Sequence, residues 1–108
     1  MNPIRRSSNR YLERIMIKQI ESWELSKMRA SRFKEIVEKE SLIEILIYGK
    51  PRLLISQTIT PEAKHEMTSF DFLRTSKSSL INRMKKGKVF RITSGKDLSA
   101  LCQVSLIK

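Results

Sequence analysis

The chain has 108 residues, which is enough for one compact domain or for two very small ones. Apolar residues make up 40% of it, which argues against gross disorder. Lys and Arg number 22 against 11 Asp and Glu, and this net charge of +11, spread over both halves, excludes a neutral domain with a basic tail and points to a polyanionic partner.

The first half of the chain predicts an α/β unit that follows a basic arm. Residues 1–13 are polar and basic, and we interpret them as that arm. Isoleucines at alternate positions predict a strand over 14–20, and Ser22 is expected to cap a helix that begins at Trp23. Apolar residues then recur at helical spacing up to Val37, with charges between them. The unit therefore starts as a strand followed by one or two helices.

A β-hairpin is predicted to complete this unit. Residues 42–48 are apolar and β-branched, as in a buried strand. Gly49-Lys50-Pro51 is typical of a turn, and residues 52–59 are predicted to form the return strand.

The second half of the chain repeats this series. Thr60-Pro61-Glu62 combines an N-cap residue, a proline suited to the first helical position and an acid, and it opens either a short helix or a turn. This boundary divides the chain into two predicted units, residues 14–60 and 61–108. The expected elements of the second unit are a strand over 65–68, one or two helices over 70–84, a strand over 88–93, a turn over 94–97 and a strand over 98–107.

Matching residue types indicate an internal repeat of roughly 45 residues. Two blocks of identical residues carry it: Arg29, Ser31 and Ile36 opposite Arg74, Ser76 and Ile81, then Gly49, Lys50 and Gln57 opposite Gly95, Lys96 and Gln103. Coincidence between two hairpins that both need a turn glycine is the alternative. The predicted fold class is α/β (α+β), with a mixed or antiparallel sheet, helices on one face, and two copies that pair about a pseudo-two-fold axis.

The order of the motifs resembles the DNA-binding module of Phd/YefM-type antitoxins. Trp23-Glu24-Leu25 stands where that family has its helix start, and an apolar strand, Gly49-Lys50-Pro51 and a second apolar strand follow up to Ser56. Asp71-Phe72-Leu73-Arg74 and residues 89–96 are similar in the second unit. The resemblance implies an α/β module that dimerises and binds operator DNA through basic residues at a helix start. The family has one module and a toxin-wrapping tail, whereas this chain resembles two modules.

Basic residues near the helix starts are the predicted DNA contacts, because helix amides and a guanidinium can meet one phosphate together and arginine can reach a guanine edge. The arm is expected to add contacts along the phosphate backbone. The predicted DNA-binding residues are Arg5, Arg6, Arg10, Lys27, Arg29, Arg32, Arg74 and Lys77. We expect a transcription regulator, most naturally a repressor, with duplex DNA as its partner. The alternatives are an antitoxin that neutralises a partner toxin and an RNA- or ribosome-binding protein; homodimerisation is left open.

No residue pattern predicts catalysis, a cofactor or a metal site. His65 has no second His or Cys near it, and a thiol–imidazole pair with Cys102 requires a contact that the sequence does not indicate. Trp23 and Phe33 lie at core spacing and are interpreted as packing residues. We expect Glu35 and the other carboxylates of its helix to pair with neighbouring lysines.

Cysteine usage and hydropathy predict a cytoplasmic protein without a membrane segment. The single cysteine, Cys102, excludes an internal disulfide framework and is expected to be a small buried side chain. No apolar stretch of a signal peptide follows Arg5 and Arg6. Apolar runs such as 53–55 are too short to span a bilayer.

Overall fold

A repeated order of strands and helices organises residues 17–107, which are the residues that this computed structural model describes. The first half contains β1 (Lys18–Glu21), α1 (Ser22–Ser26), α2 (Ala30–Lys39), β2 (Leu42–Ile47) and β3 (Lys50–Ser56). The second half contains β4 (His65–Thr68), α3 (Ser69–Arg74), α4 (Lys77–Met84), β5 (Phe90–Thr93) and β6 (Ala100–Leu106). The order strand, helix, helix, strand, strand therefore occurs twice.

These six strands form one sheet in the order β1-β2-β3-β6-β5-β4. β1 runs parallel to β2 and β4 runs parallel to β5, whereas the other neighbouring strands are antiparallel. The halves meet at the centre, where β3 pairs with β6 from Leu53 opposite Leu106 to Ser56 opposite Gln103. The prediction of a mixed α/β fold is confirmed, and the two predicted units share one sheet.

The helices cover one face of this sheet. Ile43, Ile55, Val104 and Phe90 lie opposite one another across four strands, and each is at most 2% exposed. Neighbours along these strands, such as Leu54, point to the other face and are partly exposed. Side chains from all four helices complete a core that is continuous between the halves. The predicted placement of helices on one face is therefore observed.

The first hairpin turns more tightly than the sequence predicts. Tyr48 and Gly49 join β2 to β3, and their φ angles of 52° and 79° are those of a two-residue hairpin turn. Pro51, which was predicted to lie in the turn, belongs to β3 instead. It lies opposite Leu46 at a register shift, where a residue without an amide hydrogen is accommodated.

A constant offset relates the two halves through most of their length. Forty-seven positions separate the first residues of α1 and α3, Ser22 and Ser69, and also those of α2 and α4, Ala30 and Lys77. The two parallel strand pairs keep the same offset. The second hairpin turn, residues 94–99, is longer than the first, so the offset increases in the last strand.

The repeat predicted from identical residues is therefore out of register. It placed Arg29 opposite Arg74, whereas the structure places Arg29 at the N-cap of α2, opposite Ser76 at the N-cap of α4. Arg74, the last residue of α3, falls opposite Lys27, which follows the last residue of α1. A few identities, most of them at exposed positions that accept many residue types, do not fix the register. Under the 47-residue offset buried Phe33 falls opposite buried Leu80, and Val37 falls opposite Met84.

The predicted match of Gln57 with Gln103 is also wrong. The two side chains form hydrogen bonds with backbone groups in different places of the fold. Gln57 Nε2 donates to the backbone oxygen of Val37 at 2.5 Å and satisfies the end of α2. Gln103 lies inside β6, and its Oε1 accepts a hydrogen bond from the backbone N–H of Thr60 at 2.7 Å. Gln103 thereby fixes the segment that connects the two halves.

Several element boundaries differ from the predictions. α1 begins at Ser22 itself, and Glu21 and Glu24 form a reciprocal capping box there. The segment 60–62 leads through a turn and not a helix. The predicted arm, residues 1–13, and the predicted start of the first strand lie outside the described residues. Within the described part of the chain the longest helix is α2, with ten residues, which is too short to cross a bilayer.

Candidate nucleic-acid interface

The start of α2 carries two exposed arginines at positions where helices usually carry other residues. Arg29 is the N-cap and its side chain makes no capping hydrogen bond, while Arg32 is the third helical residue. The first turn has no acidic residue. Capping oxygens and first-turn acids stabilise helices, because unpaired amides leave partial positive charge at this end. The two guanidinium groups add to that charge, so the start of α2 is an electropositive point on the surface.

Arg32 has a weak internal partner. Its Nη1 lies 3.3 Å from Oε1 of Glu35, and the two side chains are 65% and 69% exposed. The predicted pairing of Glu35 with a neighbouring lysine is therefore wrong. An exposed pair of this kind contributes about 0–1 kcal/mol, so Arg32 can exchange Glu35 for another anion at small cost.

The start of α4 is built differently, because its polar groups are satisfied inside the protein. Ser76 Oγ accepts a hydrogen bond from the backbone N–H of Ser79 at 3.4 Å. Lys77 is only 6% exposed, and its Nζ donates to the backbone oxygens of Phe72 at 2.6 Å and Thr75 at 2.7 Å. The ammonium group therefore caps the end of α3.

Burial changes the acidity of this lysine. Loss of solvent lowers the pKa of Lys77 from the usual 10.5 to about 8. Its Nζ also lies 4.7 Å from the ring centroid of Phe72. The structure thus buries a predicted DNA contact, which supports the connection between α3 and α4.

Residues 27–32 connect α1 to α2, and we call them the first junction. Residues 74–79, which connect α3 to α4 and correspond to them under the 47-residue offset, are the second junction. Each begins with a cation over an exposed ring. Lys27 Nζ lies 5.4 Å from the ring centroid of Trp23, and Arg74 Cζ lies 4.6 Å from that of Phe70. The Trp23 and Phe70 side chains are 59% and 53% exposed, so both rings remain available to a ligand.

The exposure of Trp23 corrects one prediction about the core. Phe33 is 1% exposed, so its expected role in packing is confirmed. In α1, however, the core position is filled by Leu25, which is fully buried. Trp23 lies two residues earlier and therefore on the other side of the helix.

A cleft connects the second junction with the first half of the chain. Its volume is about 330 Å³. Its lining includes Trp23 from α1, Tyr48 from the first hairpin turn, and Arg74, Ser76 and Ser78 from the second junction. Glu21, Ser22, Ser26, Ile47, Thr75 and Lys77 complete the lining. We call this space the junction cleft; it combines aromatic, cationic and hydroxyl groups from three separate segments.

Exposed cations outnumber exposed acids on the helix side of the protein. Within residues 22–39 and 69–84 the exposed cations are Lys27, Arg29, Arg32, Lys34, Lys39, Arg74 and Arg83, and the exposed acids are Glu24, Glu35, Glu38 and Asp71. On the uncovered face of the sheet, Glu44 accepts a hydrogen bond from Gln19 at 2.8 Å, and Arg91 is paired with Glu66. The excess of exposed cations means that the helix side attracts a polyanion.

His65 and Cys102 are not brought together. His65 lies on β4 and Cys102 on β6, with β5 between them and with a register offset of two residues, which separates their backbones by roughly 11–12 Å. Burial raises the pKa of the Cys102 thiol to about 12, so it stays protonated. Among the described residues, no group of three or more His, Cys, Asp or Glu side chains could hold a metal ion.

Half of the predicted DNA contacts are exposed at the junctions: Lys27, Arg29, Arg32 and Arg74. Lys77 is buried, and Arg5, Arg6 and Arg10 lie outside the described residues. Sequence reasoning missed the exposed rings of Trp23, Tyr48 and Phe70. Aligning the halves on their buried positions places Trp23 opposite Phe70, and this signal could have revealed that both lie away from the core.

Comparison of the chain with protein-family models, with curated proteins and with solved structures finds no match. Its function is therefore inferred from its own geometry and charge.

Proposed function

We propose that this protein is a DNA-binding transcription regulator, a repressor in its simplest form, that contacts duplex DNA with the helix side of its sheet. The observation that carries this proposal is the start of α2. Arg29 and Arg32 occupy places where a capping oxygen and a first-turn acid would stabilise the helix. A DNA phosphate bound there supplies the negative charge that the sequence omits.

The energies favour this interpretation. A cation in the first turn opposes the helix dipole by about 0.3–1 kcal/mol at an exposed site. The arginines therefore destabilise the start of α2, and the exposed Arg32–Glu35 ion pair compensates for little of this effect. An arginine that contacts a guanine edge contributes about 1–3 kcal/mol of discrimination between bases, a gain in binding that is at least comparable in size.

We also propose that the two halves are copies of one Phd/YefM-like module, paired within a single chain as two modules pair in a dimer. The repeated element order, the symmetrical strand order and the central antiparallel pairing of β3 with β6 support this proposal. A duplication of this kind turns the two junctions towards the two halves of an operator site. One chain then suffices for binding, without a second copy.

The first experiment is selection of bound sequences from random duplex DNA by the purified protein, followed by titration of a selected site at several salt concentrations. Affinity should fall steeply and log-linearly with salt, because phosphate neutralisation releases counterions. A flat response between low and physiological salt, or tighter binding to structured RNA than to every selected duplex, contradicts the proposal.

The second experiment locates the contact. Arg29→Ala and Arg74→Ala should each lower affinity for the selected site by about 1–3 kcal/mol and lower affinity for a scrambled site less. Lys39→Ala is the matched control, because Lys39 is also an exposed cation but lies at the opposite end of α2. Equal losses for all three variants, or equal losses on both DNA sites, exclude the junctions as the reading surface.

A further inference from the structure

Tyr48 stands out among the exposed residues because the fold buries almost none of its side chain. Its side chain is 96% exposed, and its φ of 52° lies in the left-handed region, which a bulky residue adopts at a cost. It precedes Gly49 in a two-residue hairpin turn, where Asn or Asp is the favoured first residue. A tyrosine at this position is better explained by a contact with a ligand than by stability.

The surroundings of Tyr48 indicate the chemistry of that ligand. Tyr48 and Trp23, two aromatic residues from different segments, both border the junction cleft. Arg74 and the hydroxyl-bearing Ser76 and Ser78 line it as well. The Glu21 carboxylate, which also lines the cleft, is engaged in the capping box of α1. Aromatic rings suit a planar base, while a guanidinium and hydroxyl groups suit a phosphate.

We propose that the junction cleft binds one unstacked nucleotide of a nucleic-acid strand. The base stacks on Trp23 or Tyr48, and the adjoining phosphate pairs with Arg74. The volume of about 330 Å³ is that of a small-ligand site. A strand is the source that fits best, because the charge of +11 attracts a polyanion far more strongly than a single nucleotide. This inference rests on the proposed function in one respect, that the partner is a nucleic acid.

Trp23 provides a direct readout, because it is the only tryptophan in the chain. The full-length protein is titrated with three probes: a fully paired duplex, the same duplex with one bulged adenine, which adds a single phosphate, and a single-stranded oligonucleotide with as many phosphates as the paired duplex. Stacking should quench Trp23 emission with the bulged duplex and the single strand, and much less with the paired duplex. A free adenine mononucleotide at the same concentrations should cause no quenching.

Tyr48→Asn separates the ligand contact from folding. Asn is the better turn residue, so the variant should be at least as stable as the parent protein. Its affinity for the bulged duplex should nevertheless fall roughly 5- to 100-fold, the range of one lost base–aromatic stack. Leu98→Asn is the matched control, since Leu98 is also exposed and has a φ of 59° but lies outside the cleft. That variant should bind the bulged duplex as the parent does.

The outcomes distinguish this inference from the proposed function. Equal quenching by paired and bulged duplexes, no quenching by either, or unchanged affinity in Tyr48→Asn overturns the nucleotide site, even if anisotropy shows tight duplex binding. Quenching by the free mononucleotide overturns the assignment to a strand. If the single strand quenches Trp23 while the paired duplex does not bind at all, the cleft assignment stands and the duplex function fails.

Discussion

The two junctions occupy equivalent places in the two halves and use their charge in opposite ways. At the first, Arg29 and Arg32 are exposed at the start of a helix whose first turn has neither a side-chain cap nor an acid. At the second, Ser76 caps the helix and Lys77 turns inward to cap the preceding one. In the first junction the place of Lys77 is taken by Ala30, which has no charge to bury.

This difference shows that a basic residue in a sequence does not amount to a basic residue on a surface. Lys77 donates to two backbone oxygens, so its charge is used by the fold. The first junction leaves the start of its second helix unsatisfied and its arginines exposed. Place in the fold decides which cations can reach a ligand, and four substitution experiments test that conclusion.

The largest expected effect concerns the core beneath the junctions. Leu25 and Phe72 are equivalent and fully buried, but the Phe72 ring also lies 5.6 Å from the ring of Phe33 in the other half. Phe72→Ala should lower the free energy of unfolding by about 3–5 kcal/mol, and Leu25→Ala should lower it less, at the lower end of about 2–5 kcal/mol. Urea unfolding followed by circular dichroism measures both values.

The same experiment asks whether the halves are independent. Because one core spans both, each variant should keep a single cooperative unfolding transition. Two transitions in Phe72→Ala, in which the first half of the chain stays folded after the second half has unfolded, would show that the junctions belong to separately stable units.

The second prediction is a pH dependence confined to the second junction. The folded-state pKa of Lys77, about 8, is below its unfolded value of 10.5, so the unfolded chain binds more protons between these limits. The stability contribution of this lysine should therefore rise from about pH 8 to pH 10.5, by on the order of 2–3 kcal/mol. Below pH 8 the contribution should be flat.

Lys77→Met supplies the reference, because it keeps much of the side-chain volume and cannot titrate. The difference in unfolding free energy between the parent protein and Lys77→Met isolates this residue from the other lysines. A difference that stays constant over this pH range, or that falls as pH rises, contradicts the burial of a charged amine at this site.

The third prediction exchanges the N-cap residues of the two junctions. Arg29→Ser gives α2 a capping hydroxyl, so stability should rise by about 0.5–1 kcal/mol while affinity for the selected duplex falls by about 1–3 kcal/mol. Ser76→Arg removes the cap of α4 and should lower stability by a similar 0.5–1 kcal/mol. Thermal unfolding and duplex titration of both variants give the four values. If stability and duplex affinity both rise or both fall in Arg29→Ser, Arg29 does not favour DNA binding at the expense of helix stability.

The sequence predicts the fold class well, because strand and hairpin signals depend on buried residues. The apolar run at 42–48 and the strand predicted over 98–107 correspond to β2 and β6. Buried positions alternate with less buried ones along β6, and a strand with one buried face has to be covered on one side only.

The register of the repeat and the nature of the junctions could not be predicted in the same way. A few identical residues aligned Arg29 with Arg74, whereas the positions of the helices align Arg29 with Ser76. The burial of Lys77 depends on two backbone oxygens at the end of α3, which only the three-dimensional arrangement brings within reach. The exposure of Trp23 likewise depends on which side of a five-residue helix meets the sheet.

The smallest expected effect tests whether the ion pair with Glu35 weakens the contact of Arg32 with a ligand. Glu35→Gln removes the carboxylate 3.3 Å from Arg32, so stability should fall by about 0.2–0.5 kcal/mol. Affinity for the selected duplex should rise, because Arg32 no longer has to break an ion pair with residue 35 before it contacts the DNA. Glu38→Gln changes the net charge equally on the same exposed helix but removes no arginine partner found among the described residues. Only the increase in duplex affinity of Glu35→Gln beyond that of Glu38→Gln reports on Arg32. Equal increases would mean that Lys27 and Arg29, and not Arg32, are the DNA contacts of the first junction.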